Sequence, residues 1–196
     1  MNIEPVRLMG DWKEGYALDY HAARISYEGD NIFGYPEFNY KYTEIGEMLY
    51  YLKEFDEYQK CIELSDITAD FLKKQWQIIE EIDGIIVVPT SKSIHNAPLH
   101  KLAKMIGHKI SKPVSLDFFS KLTVDEIKIL NDQEKMDIYK NNIKKEKKLK
   151  NRGNILIIDD FYNTGTTLKC VAGLIKEDIN LDDLYVLTIV KNRKID

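Results

Sequence analysis

Asn154-Ile155-Leu156-Ile157-Ile158-Asp159-Asp160-Phe161-Tyr162-Asn163-Thr164-Gly165-Thr166-Thr167-Leu168 is the stretch whose reading decides the fold. Its apolar, β-branched opening has the composition of a strand buried on both faces, as inside a parallel sheet. The strand ends in two carboxylates, and the chain then turns through hydroxyl-bearing residues. A helix follows, because Leu168, Val171, Leu174 and Ile175 recur at helical spacing. A buried parallel strand opens at its carboxyl edge, where open α/β sheets bind their ligands.

The turn supplies what an anion needs. Thr164, Gly165, Thr166 and Thr167 lead into the helix, so free backbone N–H groups and the positive end of the helix dipole face the loop. Gly165 permits close backbone approach, and the threonine hydroxyls add donors. Asp159 and Asp160 sit beside that anion. Two carboxylates there make chemical sense if they bind hydroxyls or a hard cation, since otherwise they repel the ligand. A sugar carrying a phosphate answers both halves. Taken alone, an Asp-Asp pair can simply cap a helix, and a Thr-Gly-Thr turn can simply be a turn. In this order the halves reinforce one another. A receiver-type acidic pocket is a rival, but it needs its acidic pair after the first strand and a further aspartate downstream, whereas this pair follows most of the sheet.

At these residues the sequence resembles the type I phosphoribosyltransferases, whose signature is an apolar strand, two acidic residues, a short hydrophobic pair and a Thr-Gly-x-Thr loop. The resemblance implies that Asn163, Thr164, Gly165, Thr166 and Thr167 bind the 5-phosphate of phosphoribosyl pyrophosphate (PRPP). It implies too that Asp159 and Asp160 contact the ribose hydroxyls and act as the catalytic pair. Phe161 and Tyr162 are bulkier than the usual small aliphatics, and Asn163 replaces a common Thr, Ser or Ala, departures that bear on the acceptor more than on the phosphate site.

A second, weaker similarity lies upstream. Gly84-Ile85-Ile86-Val87-Val88-Pro89-Thr90-Ser91-Lys92-Ser93, followed by Asn96 and the helically spaced Leu99, Leu102, Ala103 and Ile106, looks like the ComF-like, competence-associated branch. There a strand ending in Val-Pro opens into the pyrophosphate loop. The resemblance then makes Thr90, Ser91 and Lys92 the pyrophosphate contacts, with a cationic head and donors where negative charge departs. Read by itself, Lys92 is equally a solvated loop lysine. The similarity covers the chain from about residue 80 onward. Many members of that branch begin with a cysteine-rich zinc-binding segment, which is missing here.

The 196 residues suit one α/β domain with an appendage. Cys61 and Cys170 lie far apart without a C-x-x-C pattern and read as buried or free thiols, not as a disulfide frame or a zinc site. No membrane span or secretory signal stands out, so a cytoplasmic location is expected. A net charge of −4 argues against direct nucleic-acid binding, which needs excess phosphate-neutralising charge. The basic run from Lys144 to Arg152 reads as a solvated linker, with a loop that draws in a polyanionic substrate as the alternative.

Residues 1–80 are expected to form an N-terminal hood and residues 81–196 the phosphoribosyltransferase-like core. In the hood, Gly15 to His21 and Ile25 to Asp30 suggest short strands. Ile45, Met48, Leu49 and Leu52 predict a helix from Tyr42, and Ser65 to Ile82 reads as another with a serine cap. Farther on, Pro113 to Phe118 is a plausible strand and Leu184 to Val190 the last. Thr123 to about Lys150 has helical spacing at Val124, Ile127 and Leu130; by resemblance it takes the place of the flexible catalytic loop, with Lys121 a candidate contact. Little chain remains beyond the sheet, which leaves the aromatics of the hood to stack on a base. Any one tyrosine is more often core, and His21, His95, His100 and His108 show no metal-ligand grouping.

The expected fold is therefore α/β, a mostly parallel central sheet flanked by helices with an N-terminal hood. The resemblance implies Mg²⁺-dependent phosphoribosyl transfer from PRPP to a nitrogenous acceptor, a nucleobase-like small molecule, with release of pyrophosphate. It is compatible with a homodimer. The alternative is a non-catalytic PRPP- or nucleotide-binding sensor or partner module, and a weaker third reading is an accessory of DNA uptake.

Overall fold

The structure, a computed structural model, describes residues 3–90, 97–122 and 142–193. Its central sheet has six strands, in spatial order β1 (Val6–Arg7), β2 (Glu14–Tyr20), β10 (Leu181–Lys191), β9 (Gly153–Tyr162), β5 (Gly84–Val87) and β6 (Val114–Ser115). Every neighbouring pair runs parallel except β1 and β2, so the fold is α/β with a mostly parallel sheet, as the sequence leads one to expect. The quoted apolar run is β9, and it is central because both of its faces must be covered.

Among the described residues, helices cover the two faces unequally. α1 (Glu44–Phe55), α2 (Tyr58–Asp70) and α3 (Pro98–Ile110) pack on one side, where Leu49, Leu64, Leu102 and Ile106 meet Ile85, Leu156, Ile158 and Leu187. α4 (Thr166–Lys176) lies on the other, with Val171, Leu174 and Ile175 against Ile86, Ile155, Ile157 and Val186. The alternation along β9 follows from strand geometry: Leu156 and Ile158 face α1 to α3 and Ile155 and Ile157 face α4, until it slips past the carboxylates, where Phe161 packs with the first group and Tyr162 with the second.

Chain direction creates a switch point. From β5 the chain passes through α3 to β6 on one side, and from β9 it passes through α4 to β10 on the other. β5 and β9 are direct neighbours, in register from Gly84↔Ile155 to Val87↔Ile158. Their connections leave in opposite directions, which opens a crevice beyond their carboxyl ends. Thr90 leaves β5 on one bank and the Asp159-Asp160 pair lies on the other.

The first 80 residues are interleaved with the rest. β1 and β2 belong to the central sheet, β2 pairing with β10, while β3 (Ala22–Asp30) and β4 (Pro36–Tyr42) form a separate antiparallel ladder. The Gly15-to-His21 and Ile25-to-Asp30 segments fall on β2 and β3, and the helix expected from Tyr42 is α1, capped by Thr43 Oγ1 accepting from Gly46 N at 2.9 Å.

Two element boundaries differ from the sequence reading. The helix placed at Ser65 to Ile82 begins at Tyr58, so Ser65 is not a cap: it is buried mid-helix and donates back to Ile62 O at 2.7 Å. Cys61 and Leu64 bury the early turns, and tertiary packing overrides the capping signal. After Asp70 the helix loosens into a π-helical stretch, Phe71–Trp76, whose Phe71 and Trp76 rings meet Tyr16 edge-on. The Pro113-to-Phe118 strand shrinks to Val114–Ser115, after which the chain enters β7 (Phe119–Lys121), paired with β8 (Ile143–Lys145).

The basic run lies away from the switch point. Its first residues form β8, and Lys147 to Arg152 line a cavity of about 390 Å³ with Asp83, Gly84 and Ile85, at the amino ends of β5 and β9. Leu149 N donates to Asp178 Oδ2 at 3.0 Å and Lys147 pairs with Asp117 at 2.6 Å, so this is a tied-down strap. Mostly exposed and joining β8 to β9, it is the solvated linker of the sequence reading, anchored at these points. The helically spaced Val124, Ile127 and Leu130 lie outside the described residues.

Candidate functional site

The Asp159-Asp160 pair occupies the last turn of β9 before the bend, and strand alternation points its members to opposite sides. Asp160 faces α1, where its Oδ2 meets Lys53 Nζ at 2.9 Å. Asp159 faces the side of α4 and is 8% exposed. Asp159 Oδ1 accepts the Asp160 backbone N–H at 2.8 Å, which fixes its carboxyl across the strand end. Burial and the adjacent Asp160 charge push the Asp159 carboxyl up to about 7, against the opposing pull of that backbone N–H, of Lys53 and of Lys121. Lys121, at the end of β7, is therefore within electrostatic reach of the pair. Two carboxylates in contrasting environments can hold different protonation states at one pH.

Beyond the pair the chain bends sharply. Gly165 takes φ 75° at the N-cap of α4, and no side chain caps the helix start. Lys169 N donates to Gly165 O at 2.9 Å as the first helical bond, so the N–H groups of Thr166, Thr167 and Leu168 precede any intrahelical acceptor. The hydroxyls of Thr164 and Thr166 share a hydrogen bond of 2.7 Å, which ties the two threonines across the glycine. On the flank, the Tyr162 ring lies where a Gly165 Cβ would fall, with Oη 2.4 Å from that position. Asn163 Oδ1 accepts from Asn192 Nδ2 at 3.1 Å, and Asn192 N donates to Tyr162 O at 2.8 Å. Asn163 thus buttresses the bend from outside.

Across the crevice, Val88 N donates to Ile158 O at 3.0 Å, which brings the segment carrying Thr90 beside the carboxylates. Ser91 and Lys92 lie outside the described residues. The arrangement thus gathers Thr90, Asp159, Asp160 and Asn163 to Thr167 at one sheet edge.

Sequence reasoning missed three neighbours. Lys53, in the last turn of α1, reaches over the sheet end to Asp160. His21 follows the end of β2; its ring packs at 5.0 Å from Phe161 and 4.8 Å from Tyr42. Burial and the nearby Lys53 charge lower its pKa, which favours a neutral imidazole. Thr188, opposite Asp159 in the β10 register, is fully buried, and its Oγ1 finds no hydrogen-bond partner among the described residues. Lys53 and His21 lie more than 100 residues before the carboxylates, so their place depends on long-range packing. Thr188 had a weak local signal, a lone hydroxyl in the apolar Leu187-Thr188-Ile189-Val190 run.

The Lys53 bridge yields a test. Lys53→Met removes a charge that favours the ionised pair, so Asp159 is expected to titrate at still higher pH in a carboxyl-carbon NMR titration. Stability should move by only about 1 kcal/mol or less, because the lysine is partly solvated. An unchanged Asp159 titration would remove Lys53 from the electrostatics of the site.

No family model matches the chain, and no curated protein matches it in sequence. Solved structures resemble it in overall shape at low identity. The orotate phosphoribosyltransferase of Aeropyrum pernix is 13% identical, with 84% of this chain and 87% of that one covered at a TM-score of 0.42. The purine phosphoribosyltransferase of Pyrococcus horikoshii is 14% identical over 71% of this chain and 93% of its own, with a TM-score of 0.37. The UMP synthase of Leishmania donovani is 14% identical over 85% of this chain at a TM-score of 0.41, and the match spans 28% of that longer protein.

Proposed function

We propose that this chain is a phosphoribosyltransferase that moves the ribose 5-phosphate of PRPP to a nitrogenous acceptor and releases pyrophosphate. One observation carries the reading: an acidic doublet and an uncapped, glycine-opened helix start stand side by side at the switch point of a parallel sheet. The uncapped N–H groups and the threonine hydroxyls of residues 164–167 hold the phosphate. This remote handle fixes the anomeric carbon, so that positioning and charge do most of the work. Asp160 and Asp159 orient the ribose hydroxyls and favour the positive charge that develops on the ring as pyrophosphate leaves. On the β5 side, Thr90, Ser91 and Lys92 receive that pyrophosphate.

Mg²⁺ is the ion this chemistry calls for. Among the described residues no group of three His, Cys, Asp or Glu side chains could hold a metal. Asp159 and Asp160, hard oxygen groups, would hold Mg²⁺ only indirectly, through ribose hydroxyls or water. The chemistry the ion would supply when bound is Lewis-acid neutralisation of the pyrophosphate. The proposal includes a cytoplasmic location, in keeping with Cys61 and Cys170 as buried cysteines outside any disulfide. Among the described residues no helix is long and apolar enough to cross a membrane.

Incubation with PRPP, Mg²⁺ and a panel of nucleobases is expected to release pyrophosphate with at least one acceptor. Asp160→Asn and Thr164→Ala should each weaken PRPP binding by roughly 10-fold or more in calorimetry, the loss of one charge-assisted or hydroxyl contact. Saturable PRPP binding without release under any acceptor would favour a non-catalytic sensor. If both variants bind PRPP as the parent does, the site is misassigned.

A further inference from the structure

We propose that the cavity beneath the strap from Lys147 to Arg152 is a second binding site, for a small monoanion with an apolar body, of which an aromatic carboxylate is the simplest example. At about 390 Å³ the cavity falls among small-molecule sites, which run from about 300 to 1,000 Å³. Its floor is apolar. Ile86, Ile155 and Phe118 belong to the buried layer on the α4 side, and Pro113 and Val114 close the cavity at the edge of the sheet. The site is separate from the crevice at the carboxylates: Gly153, which lines the cavity, stands six residues before Asp159 along β9, about 20 Å away.

Charge selects the ligand. The strap is fixed within the protein itself, since Leu149 donates its N–H to Asp178 Oδ2 at 3.0 Å and its carbonyl accepts from Asn180 Nδ2 at 2.7 Å. A strap held in this way needs little ordering when a ligand binds. Two of its cations are taken up internally, Lys147 by Asp117 at 2.6 Å and Arg152 by Asp182 at 2.5 Å. Lys148 and Lys150, on either side of Leu149, are exposed and make no ion pair or side-chain hydrogen bond among the described residues. Both line the cavity.

Against these two free cations the cavity holds one carboxylate, Asp83, whose Oδ2 accepts from Asn154 N at 2.8 Å. The balance is one positive charge. A polyanion would set its remaining charges against Asp83, and a bare inorganic anion gains nothing from the apolar floor. A neutral apolar molecule gains nothing from the lysines. A monoanion whose head meets Lys148 and Lys150 while its body covers Ile86, Ile155 and Phe118 uses both.

Calorimetry and amide NMR shifts of the full chain with naphthoate test this. Saturable binding is expected, with shifts at Gly84, Phe118, Leu149 and Gly153 and none at Thr164 to Thr167. Naphthylmethanol, which is uncharged, and inorganic pyrophosphate should each bind at least roughly 10-fold more weakly. Lys148→Gln and Lys150→Gln should each weaken naphthoate binding by roughly 5-fold, and Asp83→Asn, which keeps an oxygen for Asn154 N, should tighten it by roughly 3-fold. Lys144→Gln, on the same basic run but outside the cavity, should leave it unchanged. Circular dichroism checks that each variant stays folded. The proposal is overturned by a lack of saturable binding, by equal binding of the alcohol or of pyrophosphate, or by shifts centred on Thr164 to Thr167. A loss with Lys144→Gln equal to that with Lys148→Gln also overturns it, because it would mark a general effect of surface charge.

Discussion

Gly165→Ala is expected to destabilise the protein by roughly 2–5 kcal/mol and to abolish PRPP binding. The two causes are separable. Gly165 has φ 75°, in the left-handed region where a Cβ meets the backbone. In addition, a Cβ at this residue would fall 2.4 Å from Tyr162 Oη, 2.6 Å from Cζ and 2.7 Å from Cε2. The ring has to move, and it packs on the buried layer of α4 with Lys191 Nζ 5.8 Å above it. Tyr162→Ala removes the collision and leaves the backbone penalty, so Gly165→Ala should cost less in the Tyr162→Ala background than in the parent. Urea unfolding of the four proteins reads this coupling directly. If Gly165→Ala unfolds at the parent's midpoint, the positive φ and the packed ring are both wrong. If it is destabilised as expected yet binds PRPP normally, the bend is structural and the phosphate is held elsewhere.

How much of this was legible in the sequence follows from how local each feature is. The bend after β9 was read well because strand, carboxylates, glycine and helix are contiguous, and each residue's chemistry acts on its neighbours. The parallel sheet was legible for a similar reason, since the unbroken runs Ile155 to Ile158 and Ile85 to Val88 leave no solvent face. The place of β2 was not. Tyr185↔Glu14 to Lys191↔Tyr20 joins the two ends of the chain, and nothing in Gly15 to Tyr20 specifies that partner. Lys53 was invisible for the same reason, one lysine among many on an amphipathic helix until α1 docks and its last turn reaches Asp160. The start of α2 failed differently. Ser65 looks like a cap, but the burial of Cys61 and Leu64 extends the helix back to Tyr58, where Glu57 provides no side-chain cap.

The inequivalence of the two aspartates was also beyond the sequence, and it leads to the sharpest expectation about stability. Asp159 ionises near 3.8 in an unfolded chain and near 7 in the folded one, because burial and the Asp160 charge oppose its carboxylate. Between those values the folded state holds the extra proton, so this residue's contribution to stability is complete at low pH and is lost as pH rises toward 7. Asp159→Asn keeps an oxygen to accept the Asp160 N–H and carries no charge. It should therefore match the parent near pH 4 and exceed it by as much as about 4 kcal/mol above pH 8. Denaturant titrations at several pH values measure the gap; one that is constant with pH would show that Asp159 ionises normally. The same variant should lose PRPP affinity, because the ionised oxygens are the ones that accept ribose hydroxyls. In the parent, binding near pH 6 should release a proton, visible as a calorimetric enthalpy that changes with the ionisation enthalpy of the buffer. A carboxyl held protonated by burial costs the protein stability at higher pH, and a ligand-binding role for Asp159, as proposed above, would offset that cost.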